Sequence, residues 1–322
     1  MWTALFLATL FGGLVAAYVA AAAHAVARGA SVWPFVLGLP AAYLAVVFVV
    51  TAIWITLGWW LRAERPDDVA LTFRLRLRLF LDEYASLLLS APKMILYGIL
   101  MRDPPPGPAG LPILLLHGVG CNAGIWTGFR RYLESRGLGP VYALSYGPPL
   151  ASIELFASQV AAKIAAIRTA TGASQVLLVG HSMGGLVARA YLRRYGGRAV
   201  RRLITLGTPH QGSMHAWLMS GVALAEMRPR SPFLTGLNET SDHADGVPIV
   251  SLWSWHDSMV TPQTSARLDW ADNIVIAGVA HNALLNDRGV WATVAAEIEK
   301  AAASIPTSGS LGSAAQTPSA PG

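Results

Sequence analysis

The sequence predicts an α/β domain, a mostly parallel sheet with helices on both faces, preceded by two long apolar helices. Three observations predict it. Six short, nearly continuous apolar runs alternate with helical stretches, the pattern of strands covered on both faces. One run, Gln175 to Val179, leads into Gly180-His181-Ser182-Met183-Gly184-Gly185 and then into a helix-forming stretch, Leu186 to Tyr195. Two runs near the N-terminus, Trp2 to Ala27 and Pro34 to Leu61, contain no Asp, Glu, Lys or Arg.

Each N-terminal run exceeds the roughly 20 apolar residues that cross a hydrocarbon core. Arg28 and Gly29 break them, and Trp33, Trp59 and Trp60 lie near run ends, where indoles favour the interface. A transmembrane helical hairpin over residues 1–61 is the expectation. The competing reading is a cleavable signal peptide ending near Ala21-Ala22-Ala23. The first run lacks an N-terminal Lys or Arg and is long for such a segment. Even with cleavage, the second run would remain as an anchor. These segments account for a chain that is 53% apolar and only 13% charged over 322 residues. The one cysteine, Cys121, excludes an intramolecular disulfide.

Net charge is +6, and the basic excess falls in two clusters. Arg62, Arg65, Arg74, Arg76 and Arg78 come just after the second apolar run, and by the positive-inside rule they place the downstream domain on the cytoplasmic side. Arg189, Arg193, Arg194, Arg198, Arg201 and Arg202 form the other cluster, read as a solvated helix face in preference to a lipid-headgroup surface. Neither cluster reads as a nucleic-acid surface, so nucleic acid is not an expected partner.

Residues 62–110 join the anchor to the domain. Leu71, Phe73, Leu75, Leu77 and Leu79 alternate with Arg74, Arg76 and Arg78, a two-residue period that suggests a strand. Arg74 and Arg78 are also four apart, so an amphipathic interfacial helix running on to Leu89 fits as well. Asp103-Pro104-Pro105-Pro106-Gly107-Pro108 marks a linker. The domain occupies 111–303, with strands expected at Pro112–Leu116, Pro140–Ser145, Gln175–Val179, Arg202–Leu206, Pro248–Leu252 and Asn273–Ile276. Helices are expected at Ser152–Thr169, Ser182–Tyr195 and Asn282–Ala302. Residues 304–322 are Ser, Pro, Gly and Ala without a core pattern, and are expected to be unstructured.

A serine flanked at two residues by glycines, between strand and helix, is a nucleophile-elbow pattern. A Cβ at Gly180 or Gly184 would crowd the neighbouring strand and helix. The plainer alternative is a turn whose serine caps the helix. A serine hydroxyl needs a base to become nucleophilic and donors aimed at the developing oxyanion. His117-Gly118-Val119-Gly120 comes after the first strand of the domain and offers amides at the same sheet edge, with His117 as an orienter of that loop. The expected chain order is serine, acid, histidine. His281, just past the last strand, is the choice for base. His210, in Gly207-Thr208-Pro209-His210-Gln211-Gly212-Ser213, is the rival and reads better as a wall of the site; His215 has no assigned role. His243 and His256 read as exposed loop histidines. Asp257 comes after the fifth strand, whereas Asp242, Asp245, Asp269 and Asp272 precede the last two strands and so sit at the wrong edge.

Together Gly180–Gly185, His117–Gly120, Gly207–Ser213, Asp257 with Val260 and Pro262, and His281 resemble bacterial triacylglycerol lipases and esterases of the α/β-hydrolase superfamily. The resemblance covers roughly residues 111 to 300. It implies an α/β-hydrolase fold, with Ser182 as nucleophile, Asp257 as acid, His281 as base, Val119 and Met183 as oxyanion-hole amides, and His117, Gly118, His181 and His210 shaping the site. It implies a carboxylic ester hydrolase acting on ester or lipid substrates through an acyl-enzyme. Acyltransferase, phospholipase or thioesterase activity on the same residues is the alternative, and a non-catalytic membrane scaffold a second. The apolar stretch Met214 to Leu237, within a segment at about 213–240, corresponds to a cap or lid; a packed helix that simply covers the sheet explains it equally well. The hairpin departs from the secreted members of the group, and no counterpart of their calcium-binding aspartate pair is found. Neither cofactor nor metal is expected. The expected location is the bacterial inner membrane, multi-pass, with the bilayer as a partner.

Overall fold

The structure, a computed structural model, describes residues 2–64, 66–108, 110–239 and 246–303. The tail 304–322, and with it Asp242, His243 and Asp245, lies outside the described residues.

Two apolar helices open the chain, α1 (Trp2–Ala27) and α2 (Trp33–Trp60). The Tyr18 hydroxyl of α1 donates to the Phe35 carbonyl of α2 at 2.8 Å. Among the described residues one helix, Trp33–Trp60, is long and apolar enough to cross a membrane; the apolar stretch Gly12–Ala27 of α1 is shorter.

The strand reading of Leu71–Leu79 is overturned. Phe73–Ile95 is a helix, α3, capped by Thr72, whose hydroxyl accepts from the Leu75 amide. The alternation misled because leucines recur at every second position while only every fourth faces inward. Leu79, Glu83 and Ser86 form a buried stripe, and Arg78 pairs with Asp82 one turn on, in solvent. A short helix α4 (Tyr97–Leu100) comes next.

The sheet has six parallel strands in the order β2-β1-β3-β4-β5-β6. They are β1 (Ile113–Leu116), β2 (Val141–Leu144), β3 (Val176–His181), β4 (Val200–Leu206), β5 (Ile249–Ser254) and β6 (Asp272–Ile276). All six expected runs therefore form strands, within a few residues at each end. Helices α5 (Thr127–Ser135), α6 (Ile153–Thr171) and α7 (Met183–Tyr195) separate the first four. Beyond β4 come two short helices, α8 (Val222–Glu226) and α9 (Pro232–Glu239), and beyond β6 the last helix, α10 (Arg288–Ala303).

Strand side chains alternate between two cores, which is why the runs are apolar throughout. Leu114, Leu116 and Leu178 pack with Phe156 and Ile164 of α6 and Leu186 of α7. Ile113, Leu115, Leu177 and Val179 pack on the other face with Phe129 of α5, Trp291 of α10 and Leu79 of α3. The chain leaves β1 toward β2 and then reverses past it to β3. Such a reversal opens a crevice at the carboxyl ends of the strands on either side, here β1 and β3.

The N-terminal helices are not remote from this domain. Thr51, Ile55 and Gly58 of α2 are buried, and a Cβ on Gly58 would stand 2.5 Å from the Ser258 carbonyl oxygen. Gln263 ties the same loop to the segment after α2: its Oε1 accepts from the Ala63 amide at 3.0 Å, and its Nε2 donates to the Asp257 carbonyl at 2.9 Å.

The second arginine cluster is not one solvated face. Arg189 is buried and donates to the Leu237 carbonyl and Asn238 Oδ1. Arg193 pairs with Glu154, and Arg202 with Glu297 at 2.6 Å. Packing of α6, α9 and α10 around α7 and β4 supplies partners that helical periodicity could not reveal.

Candidate active site

The junction after β3 turns sharply. Ser182 adopts φ +55° and ψ −126°, a conformation rare for a residue with a side chain, and its amide donates to the Leu206 carbonyl at 2.8 Å. The flanking glycines are required by contact. A Cβ on Gly180 would lie 2.6 Å from the Gly184 carbonyl carbon, and one on Gly184 would lie 2.3 Å from the Leu116 oxygen. The serine therefore emerges where α7 begins, at the positive end of that helix. Ser182 makes no side-chain capping bond to α7, so the capping alternative finds no support.

Ser182 and His281 line one small cavity of about 40 Å³, with Val119, Pro209, Ser213, His215, Ala216, Met219, Leu224, Met227, Met259 and Val260. Ser182, Asp257 and His281 come after β3, β5 and β6 and so meet at the carboxyl edge of the sheet. Asp257 and His281 are nearly fully buried and bond to each other, Oδ2 to Nδ1 at 2.8 Å. The Asp257 Oδ1 accepts from the amides of Met259 and Val260, at 2.8 and 2.7 Å. A carboxylate only accepts, so His281 Nδ1 carries a proton and Nε2 is left for the cavity side. Gly207 at φ +53° packs against this pair: a Cβ there would sit 2.9 Å from Asp257 Oδ2 and 3.3 Å from His281 Nδ1.

The electrostatics separate the histidines. Burial pushes His117 and His215 down to about 4 and holds His181 and His210 well below their ordinary value. Burial opposes protonation of His281 too. The Asp257 charge, the Asp257 hydrogen bond and the Glu83 carboxylate outweigh it and hold His281 above the ordinary value.

The other expected site residues have distinct places. Gly118 lies beside Ser182, with its ideal Cβ 3.0 Å from the Ser182 Cβ. Val119 lines the cavity, and Met183 is the first residue of α7. His117 stacks on Tyr146 at 4.0 Å between centroids, and its carbonyl accepts from the Tyr146 hydroxyl. His181 donates through Nε2 to the His281 carbonyl at 3.1 Å. His210 does not line the cavity; Pro209 does. Its ring is fully buried and bonds to Thr205 Oγ1 and Arg189 Nη1, so the expectation of a wall residue passes to its neighbour. His256, expected to be exposed, is buried: its Nδ1 accepts from the Gly278 amide, and its Nε2 donates to the Val69 carbonyl. The segment before α3 lies over it, a contact 187 residues distant in sequence.

Three neighbours of the site were not singled out from sequence. Glu83 of α3 is fully buried and bonds to residues 258, 282 and 283. Gln263 holds the Asp257 carbonyl. His215 lines the cavity, bonds Thr261 Oγ1 at 2.8 Å, and lies 5.2 Å from the Trp54 ring of α2. The available signal for Glu83 was a carboxylate four and eight residues beyond Leu79 and Leu75, on the apolar face of a helix.

Comparison with known proteins bears on the fold. Residues 152–278 match the family described as PGAP1-like alpha/beta domain. A triacylglycerol lipase of Pseudarthrobacter phenanthrenivorans is 32% identical over 120 residues, which make up 33% of this chain and 35% of that lipase. The chain thus spans about a third of the length of the curated relative it matches. The mature lipase of Bacillus licheniformis superposes with a TM-score of 0.54 at 21% identity, covering 61% of this chain and 96% of that one. The chain has an α/β-hydrolase fold. Within it the likeness is to lipases and esterases. A second such structure, lipase B of Aspergillus fumigatus, matches over 69% of this chain and 71% of its own, with a TM-score of 0.53 at 18% identity.

Proposed function

We propose that the protein is a membrane-anchored serine hydrolase that cleaves carboxylic esters of lipid-like substrates through an acyl-enzyme. The observation that carries this reading is Ser182, held at φ +55° and lining one cavity with a His281 whose Nδ1 is bonded to Asp257. In this mechanism His281 Nε2 takes the Ser182 proton as the hydroxyl attacks the ester carbonyl. The amides of Val119 and Met183 hold the oxyanion. His281 then protonates the leaving alcohol, and water activated by the same imidazole releases the acid. Asp257 keeps the productive tautomer and stabilises the imidazolium. The test is fluorophosphonate labelling of intact protein, then peptide mapping. An adduct on Ser182 is expected; no adduct on folded protein would return the reading to a non-catalytic scaffold.

Only neutral His281 accepts the serine proton, so kcat/KM rises as pH climbs through its pKa. Because that pKa is held above 6.5, the acid limb of a pH profile on a soluble ester is expected above pH 6.5. A limb below that value contradicts the assignment.

The lipid-like substrate rests on the lining of the cavity and on the anchor. Ala216, Met219, Leu224 and Met227 roof the site, and a space of about 40 Å³ holds little more than a water, so acyl binding requires the cap to move. Met227→Ala widens the roof. It is expected to raise kcat/KM for longer acyl chains relative to acetate by about tenfold, the scale of methylene discrimination in an apolar pocket, measured over an ester series.

Anchoring is supported by α2. Val36, Leu37, Leu44, Val46, Phe48, Val49 and Ile53 along it are exposed, an apolar surface that a soluble core helix would bury. Arg62, Arg74, Arg76 and Arg78 after α2 favour a cytoplasmic catalytic domain at a bacterial inner membrane.

A further inference from the structure

Glu83 is a carboxylate with no exposed surface, carried on α3, outside the sheet and its connections. Its four contacts fall on the residues just after the proposed acid and base. Oε1 accepts from the Ser258 hydroxyl at 2.8 Å and from Asn282 Nδ2 at 2.9 Å. Oε2 accepts from the backbone amides of Asn282 and Ala283, at 2.9 and 3.1 Å. Ser258 is next to Asp257, and Asn282 is next to His281. The Ser258 oxygen also accepts from the His281 amide at 3.4 Å, so one carboxylate closes a ring through both loops.

A buried carboxylate is a costly way to hold two loops together. No Lys or Arg pairs with Glu83 among the described ion pairs, and burial holds its carboxyl above the ordinary carboxylate range; the nearby His281 charge and the donors from residues 258, 282 and 283 act in the opposite direction, toward the anion. All four contacts are donors, which an anion accepts more strongly than a neutral group does.

We infer that Glu83 is a positioning residue for catalysis: it fixes the Asp257 and His281 loops in register and supplies a second negative charge to the imidazolium that forms on His281. The inference rests on the Ser182, His281 and Asp257 assignment. It also makes α3 part of the active site, so the segment linking anchor and sheet sets the geometry of the base. The groups facing His281 are Asp257 from the β5 loop, Glu83 from α3, His181 at the end of β3 and His215 from the cap; the two histidines are held neutral by burial. Removing the Glu83 charge therefore leaves Asp257 as the one anion stabilising the imidazolium.

The experiment uses full-length protein in detergent, comparing wild type with Glu83→Gln on a soluble short-chain ester. Gln presents an NH₂ group to donors that need an acceptor, and it removes the charge. A fall in kcat of about 10- to 100-fold is expected, the cost of displacing a catalytic group by about an ångström, with KM changed by less than about threefold. The acid limb of kcat/KM should move to lower pH, because a lost anion lowers the His281 pKa. An unchanged kcat, or a reduced kcat with an unmoved acid limb, overturns the proposal, since a merely structural role lowers the amount of folded enzyme without moving that limb. If Glu83→Gln does not fold, Asn282→Ala carries the test: it removes one donor and keeps the charge. At unchanged Tm, kcat should then fall about fivefold or more on the same argument, and a wild-type kcat overturns the proposal. Fluorophosphonate labelling of wild type is run alongside. No adduct on Ser182 overturns the catalytic assignment and this inference together, whereas an adduct with an unaffected Glu83→Gln enzyme overturns this inference alone.

Discussion

Ser182→Ala is expected to lower kcat on a soluble ester by roughly 10⁴- to 10⁶-fold and to abolish the fluorophosphonate adduct, with the fold and Tm retained. The magnitude comes from a mechanism in which nucleophile and base act as a unit: once attack is impossible, binding and oxyanion stabilisation supply only the residual rate. Alanine at 182 keeps the strained φ of +55° and the amide bond to the Leu206 carbonyl, both of which belong to the backbone. Folding is therefore expected to survive, and activity assayed at equal folded protein isolates the hydroxyl. Retained turnover in Ser182→Ala would remove the serine mechanism altogether.

Gly207→Ala is expected to cost at least about 100-fold in kcat, although residue 207 takes no part in the chemistry. The added methyl would stand 2.9 Å from Asp257 Oδ2, 3.3 Å from His281 Nδ1 and 2.8 Å from Leu284 Cδ1. It cannot turn away, because φ of +53° disfavours any side chain there, by about 1–2 kcal/mol, and the preceding residues lie in β4. The methyl acts as a wedge against the Asp257–His281 hydrogen bond, and the least costly response is to shift His281 or Asp257. Comparison of kcat with KM on the soluble ester checks it: kcat should fall much more than KM rises. A wild-type kcat would mean that the Asp257–His281 contact is dispensable.

Much of this arrangement was legible because parallel sheets are read easily. Strands buried on both faces leave unbroken apolar runs, and all six appear, from Ile113–Leu116 to Asp272–Ile276. Once strand order is known, topology assigns each loop to a sheet edge. That is why Asp257 and His281 could be named from their places after β5 and β6, and why His117–Gly120 was linked with Ser182. His210 shows the limit of the same rule: it also comes after a strand, yet its side chain points away into a buried network with Thr205 and Arg189.

Residues 62–110 resisted for a different reason. The alternation from Leu71 to Leu79 is compatible with two periods, and the helix wins because packing rewards the one-in-four stripe of Leu75, Leu79 and Glu83. Nothing local states what that stripe meets. Glu83 reaches Asn282 across 199 residues, and His256 reaches Val69 across 187. Gly58 packs against Ser258 from an equally distant part of the chain.

By itself the amino-acid sequence determined the sheet, the serine junction and the two apolar helices, because each is set by short-range requirements: side-chain period, glycine at a close approach, and long runs without a charged residue. Only the tertiary structure decided that His281 and not His210 joins Asp257, that the cavity is nearly closed, and that a carboxylate from outside the sheet sits behind both loops. Those outcomes depend on the orientation of side chains and on contacts between distant segments, where the burial of a charge is offset by donors that no local pattern encodes.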